Sequence, residues 1–128
     1  MASVLIVDDD DDISALLEML LVSKGHLVSV AHDGKQAICL MVQHLPDLVV
    51  SDAEMPVMDA RGMAHRMVYD NCGKERIPLV LISGSPEIKQ IGRQIGTPYV
   101  LPKPFTPDDV LQMAERALTE RRPFVPSR

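Results

Sequence analysis

The sequence predicts an α/β domain of five strand–helix repeats, (βα)5, doubly wound around one parallel sheet. The first observation behind this is an alternation of two apolar patterns. Short continuous apolar runs suit strands buried on both faces, and the stripes between them recur at helical spacing. The second is size: 128 residues, 46% of them apolar, suffice for one core and are too few for two. Strands alternating with helices in this order imply a parallel sheet with helices on both faces.

The elements follow in order. Val4-Leu5-Ile6-Val7 is the first strand, and Ile13, Leu16, Leu17, Leu20 and Leu21 form one helical stripe that Gly25 stops. Leu27 to Ala31 is the second strand, followed by the stripe Ala37, Ile38, Met41 and Val42. Leu48-Val49-Val50 within Asp47 to Ser51 is the third, and Met63, Ala64, Met67 and Val68 supply the next helix face. Leu79-Val80-Leu81-Ile82, within Pro78 to Ser83, precedes Ile88, Ile91 and Ile95 at helical spacing. Tyr99-Val100-Leu101 is the last strand. Thr106 caps the final helix, with Pro107 at its first position, Asp108 and Asp109 in its first turn, and Val110, Leu111, Ala114 and Leu118 on its core face. Pro98, Pro102 and Pro104 crowd the fifth strand, which belongs at a sheet edge because proline cannot donate to a ladder. The domain is expected to span residues 1–121, with 122–128 a tail or the start of a linker.

Charge is unevenly distributed. The net charge is −5, yet residues 1–64 carry 11 acids and three bases, and the remainder seven acids and ten bases. This balance argues against a nucleic-acid binder, which usually shows a basic footprint. No apolar run reaches the ~18 residues of a membrane span, and no signal-like core opens the chain. Cys39 and Cys72 have no CxxC pattern and read as reduced thiols in a cytoplasmic protein. His26, His32, His44 and His65 lack metal-ligand spacing and read as surface or boundary residues. The eight methionines read mainly as core packing.

In open parallel sheets, ligands bind outside the carboxyl ends of the strands, near the point where strand order reverses. Strand 1 ends in Asp8-Asp9, strand 3 in Asp52, strand 4 in Ser83 and strand 5 in Lys103. Three carboxylates, a hydroxyl and an ammonium thus converge on one rim. At ~4 Å and an effective dielectric of ~20, each like-charged pair costs ~4 kcal/mol. Either their pKa values rise or cations sit among them. Lys103 is one such cation. All-oxygen ligands without histidine or thiolate point to Mg²⁺ as a second, and a site of this kind also admits a phosphoryl group. The rest of the aspartate run, Asp10 to Asp12, reads as helix-start acids favoured by the macrodipole.

These segments together resemble the receiver domain of two-component response regulators. The resemblance is carried by Val4-Leu5-Ile6-Val7-Asp8-Asp9, by Pro46 to Asp52 with Met55-Pro56 and Met58-Asp59, by Pro78 to Ser83, and by Leu101-Pro102-Lys103-Pro104-Phe105. It extends from about Val4 to Arg121. It implies a flavodoxin-like strand order, 2-1-3-4-5, and a cis Lys103–Pro104 bond. It also implies that Asp52 accepts a phosphoryl group from a sensor histidine kinase or histidine phosphotransfer protein. Asp8, Asp9, Asp52 and the backbone carbonyl of Glu54 are then the Mg²⁺ ligands, Lys103 pairs with the acyl phosphate, and Ser83 donates to a phosphate oxygen. The switched surface is the face of helix 4, strand 5 and helix 5, which meets a downstream protein target. A phosphorylation-dependent homodimer is a further expectation.

The chain departs from the family pattern in places. Val100 stands where an aromatic usually couples to Ser83, and Tyr99, one residue earlier, points to the opposite face. Ser83 and Lys103 stand only 20 positions apart, and the segment between them carries Gly84, Pro86, Gly92 and Gly96, so helix 4 is expected to be short or mobile. The resemblance implies that Glu54 and Ser85, each two residues past a site residue, flank the phosphate and influence dephosphorylation. Two other functions compete. A degenerate receiver would act as a phosphorylation-independent docking module. A haloacid-dehalogenase-like phosphatase would use Asp8-x-Asp10, but it needs a further acidic pair at a strand end beyond its lysine. Here only Asp108 and Asp109 follow Lys103, in a helix start.

Overall fold

The computed structural model describes residues 1–70 and 72–126. Five parallel strands are ordered β2-β1-β3-β4-β5. They are β1 (Ser3–Val7), β2 (Leu27–Ala31), β3 (Leu48–Asp52), β4 (Leu79–Ser83) and β5 (Tyr99–Pro102). Between and after them run α1 (Asp11–Ser23), α2 (Gly34–Gln43), α3 (Ala60–Asp70), α4 (Ile88–Ile95) and α5 (Pro107–Glu120), with a 3-10 turn at Lys74–Arg76. The doubly wound order is therefore 2-1-3-4-5, and β5 is an edge strand as its prolines require.

The sheet carries a core on each face because strand side chains alternate. Leu5, Val7, Val49, Leu79 and Leu81 pack under α2, α3 and α4, with Met41, Met63, Met67 and Ile95. Val4, Ile6, Leu48, Val50, Val80 and Ile82 pack under α1 and α5, with Leu17, Leu21, Val110 and Ala114. Each fully buried aliphatic side chain contributes roughly 1.5–3 kcal/mol relative to exposure. Tyr99 belongs to the second core and Val100 lies against the first, so the two residues do face opposite ways.

Helix ends follow their polar residues. Asp10 caps α1 by accepting from Asp12 N and Ile13 N, Asp33 caps α2 through Gln36 N, and Thr106 and Asp109 form a reciprocal capping box at α5. The helical stripes are narrower than the spacing implies. Leu16, Val42 and Val68, expected on core faces, are exposed. Each lies at the flank of its stripe, where a rotation of a few tens of degrees decides between core and water. The helix α4 is the shortest of the five, at eight residues, and has no side-chain cap at its start.

Candidate functional site

Strand order reverses between β1 and β3, and the site residues gather at the carboxyl ends beside that point. Asp8 directly follows β1, where its N–H donates to Ala31 O (3.0 Å). Asp52 ends β3 and Ser83 ends β4. Lys103 follows β5, where its N–H donates to Ser83 O (2.9 Å) and a cis peptide joins it to Pro104. Backbone ladders thus fix four of the side chains before any side-chain contact forms.

Asp8, Asp9 and Asp52 each offer a carboxylate oxygen, and these oxygens lie within 4.8 Å of one another. Lys103 Nζ stands 3.5 Å from Asp52 Oδ1. Asp8 is 1% exposed, and the Asp52 side chain 13%. Asp8 Oδ1 accepts from Asp10 N at 2.9 Å, whereas Oδ2 is buried with no hydrogen-bond partner among the described residues. Burial pushes the Asp8 carboxyl up to about 6, against the donation from Asp10 N. The Asp52 carboxyl is also raised by burial, and Lys103 opposes the rise. A buried carboxylate oxygen without a donor costs about 1–3 kcal/mol or more, so the cluster is arranged for a cation. The residues present fit Mg²⁺, which takes few protein carboxylates and only oxygen.

A cleft lined by Asp52, Glu54, Ser83, Gly84, Ser85 and Lys103 opens beside the carboxylates. Ser83 Oγ accepts from Ser85 N (3.0 Å), and Ser85 Oγ accepts from Glu87 N (3.1 Å). Every site residue expected from the sequence therefore lies on this rim. His26, His32, His44 and His65 stand apart from it as partly or fully exposed residues, with His32 Nδ1 3.8 Å from Asp11 at the edge of the rim. Val57 adopts φ 68°, rare for a β-branched residue, in the loop between β3 and α3. There Met58 N closes onto Pro56 O (2.7 Å) while Met58 O accepts from Gly34 N (2.9 Å).

Three clustered carboxylates with a countercharging lysine thus stand at the switch point of an open parallel α/β sheet. The chain belongs to the response regulator receiver domain family, whose model matches residues 4–115. It is similar to a putative response regulator from Chloroflexus aurantiacus, with a TM-score of 0.85 at 28% identity over 92% of this chain and 98% of that one. The chemotaxis response regulator CheY4 of Vibrio cholerae gives 0.79 at 31% identity, over 91% and 98%. The transcriptional regulatory protein CpxR of Escherichia coli (strain K12) is 33% identical over 94% of this chain and 50% of its own length. The chain spans about half the length of this and several other curated regulators that it matches. The chain is thus a receiver domain of the two-component type with a flavodoxin-like fold, and receiver domains as a class are phosphorylation-dependent switches. Such domains use Mg²⁺ and interact with histidine kinases or phosphotransfer proteins. Among the described residues, no helix is long and apolar enough to cross a membrane.

One feature lay outside what the sequence suggested. Within residues 122–128, expected as a tail or linker start, Phe124 is 2% exposed in the core on the face of α2, α3 and α4, while 127 and 128 lie outside the described residues. The available signal was an aromatic, one of two phenylalanines in the chain, held between Pro123 and Pro126.

Proposed function

We propose that this domain, residues 1–121, is a phosphoacceptor whose nucleophile is Asp52. The observation that carries the reading is the pairing of Asp52 with Lys103 beside the unsatisfied oxygen of Asp8. One Asp52 carboxylate oxygen bonds to phosphorus as the bond between phosphorus and the donor's imidazole nitrogen breaks, and the bonding pair leaves with the imidazole. The product is a mixed anhydride on Asp52.

Asp8, Asp9, Asp52 and the Glu54 carbonyl are the residues that would hold Mg²⁺, which when bound neutralises charge on the transferring oxygens. Lys103 countercharges the acyl phosphate from the β5 side. Ser83, once its hydroxyl turns from Ser85 N, donates to a phosphoryl oxygen. Glu54 and Ser85 line the approach to phosphorus and set the rate of hydrolysis. The domain catalyses only its own phosphorylation and dephosphorylation. Its donor is a sensor histidine kinase or phosphotransfer protein, and its output is a protein target on the α4–β5–α5 face, or a second phosphorylated copy. Two free, exposed cysteines suit a reducing, cytoplasmic setting.

The test supplies Mg²⁺ and a small-molecule phosphodonor and follows intact mass. A one-phosphoryl gain that Asp52→Ala loses is expected, and a gain retained in that variant sinks the assignment. Steady phosphate release from a generic ester points to a phosphatase instead, and no modification points to a docking module.

A further inference from the structure

The helix α4 is tied at both ends. At its start, hydrogen bonds climb from the site: Ser83 Oγ accepts from Ser85 N, and Ser85 Oγ accepts from the N–H of Glu87, the N-cap of α4. In its middle, Gly92 lies so close to β5 that a Cβ there would stand 2.6 Å from Val100 Cγ1. At its end, Gly96 caps the helix at φ 84°, and its carbonyl accepts from Val125 N (3.0 Å). A Cβ on Gly96 would fall on the Val125 backbone.

The segment that reaches Gly96 comes from the other layer of the fold. Arg121 ends α5 at φ 51°, turning the chain back, and its guanidinium stands 3.7 Å from Asp47. The next N–H, of Arg122, donates to Tyr99 Oη (3.2 Å), which itself donates to Glu120 (3.1 Å). Phe124 then enters the core on the face of α2, α3 and α4. In five residues the chain crosses from the α5 layer to the end of α4, around the amino-terminal end of edge strand β5.

We propose that residues 121–125 are a latch that clamps the end of α4, and that phosphoryl capture at Asp52 releases it through the start of the same helix. When Ser83 turns to the phosphoryl group, Ser85 N loses its acceptor and the start of α4 is free to move. A short helix pressed on Val100 has little room to bend, so displacement is passed to the contact between Gly96 and Val125. The clamp rests on the contacts above, and the release step also rests on Asp52 being the phosphoacceptor.

Two measurements test it on the full chain. Amide hydrogen exchange without phosphodonor compares the native chain with Phe124→Ala and Gly96→Ala, which expel the latch from opposite sides. Exchange in α4 is expected to quicken at least tenfold in both, with α1 and α2 within twofold. Unchanged α4 protection overturns the clamp, as does equal acceleration in every element, which is the mark of a plain core residue. If Gly96→Ala does not fold, Phe124→Ala decides alone. For the release, Phe124→Trp places a tryptophan in a chain that has none. With Mg²⁺ and phosphodonor its emission is expected to shift to the red, and its acrylamide quenching to rise at least threefold, in step with the one-phosphoryl mass gain. The same variant carrying Asp52→Ala is expected to show neither change. Mass gain with unmoved emission overturns the release. Absence of mass gain overturns the Asp52 assignment and the release with it, and the exchange experiment still decides the clamp.

Discussion

The two ends of the sheet are built on opposite principles. At the carboxyl end, Asp8, Asp9 and Asp52 crowd together, one oxygen has no donor, and burial raises two of the carboxyls. At the amino-terminal end every conspicuous group is answered. Tyr99 Oη bridges Glu120 and Arg122 N, Arg116 lies 5.3 Å over the Tyr99 ring, and the hydrogen bond from Arg116 holds the Glu120 carboxyl below its usual range. Thr97 Oγ1 donates to Leu79 O and accepts from Tyr99 N. The carboxyl end holds crowded, partly unanswered carboxylates, and under the proposed function it is the end that gains from a cation and a phosphoryl group. The amino-terminal end is satisfied and holds the frame. Function lies where the polar groups are unsatisfied, because only there does a ligand bring a large change in free energy.

That contrast is broken most sharply at Asp8. Asp8→Asn is expected to weaken Mg²⁺ binding by at least ~100-fold while stabilising the metal-free domain by about 1–3 kcal/mol, since it removes a buried charge. Titration calorimetry and thermal unfolding read the two effects, and a metal-free domain destabilised by the change would contradict the account.

A tenfold effect is expected from pH. The Asp8 carboxyl titrates at about 6, above its usual 3.8. The folded domain therefore binds a proton that the unfolded chain lacks between those values, and this group adds stability as pH falls from 7 towards 4. The metal needs the ionised form, so Mg²⁺ affinity is expected to drop about tenfold between pH 7 and pH 5. Opposite slopes for metal-free stability and metal affinity are the signature, and parallel slopes would refute it.

Smaller changes probe the satisfied end. Gly92→Ala drives a Cβ against Val100 Cγ1 and is expected to cost about 1–3 kcal/mol, of which most returns when Val100→Ala is added. Chemical denaturation of the two single variants and the double variant measures that coupling, and simple additivity would show that the contact is not tight. Tyr99→Phe removes a hydroxyl with two partners and is expected to cost about 0.5–1.5 kcal/mol, with no effect on Mg²⁺ affinity.

Most of the carboxyl end was legible in the sequence. Asp8, Asp9, Asp52, Ser83 and Lys103 each stand where an apolar run stops, and a parallel sheet brings such positions to one rim whatever the details of packing. The flanks of the helices were less legible. Leu16, Val42 and Val68 keep helical spacing yet face water, because spacing marks a stripe and not its width. The short α4 was legible from its glycines. The partner of Gly92 was not, since nothing local links it to Val100.

The linear pattern thus determined the element order, the edge position of β5 and the residues that carry the charge. Each of these follows from short-range properties: apolar period, proline's missing donor, and the polar residue that ends a buried run. The tertiary structure alone decided how far burial raises Asp8, which oxygen lacks a donor, and where Phe124 goes. Those depend on distances between segments remote in the chain, and desolvation and steric fit are set by the packed neighbours rather than by the residue's own sequence context.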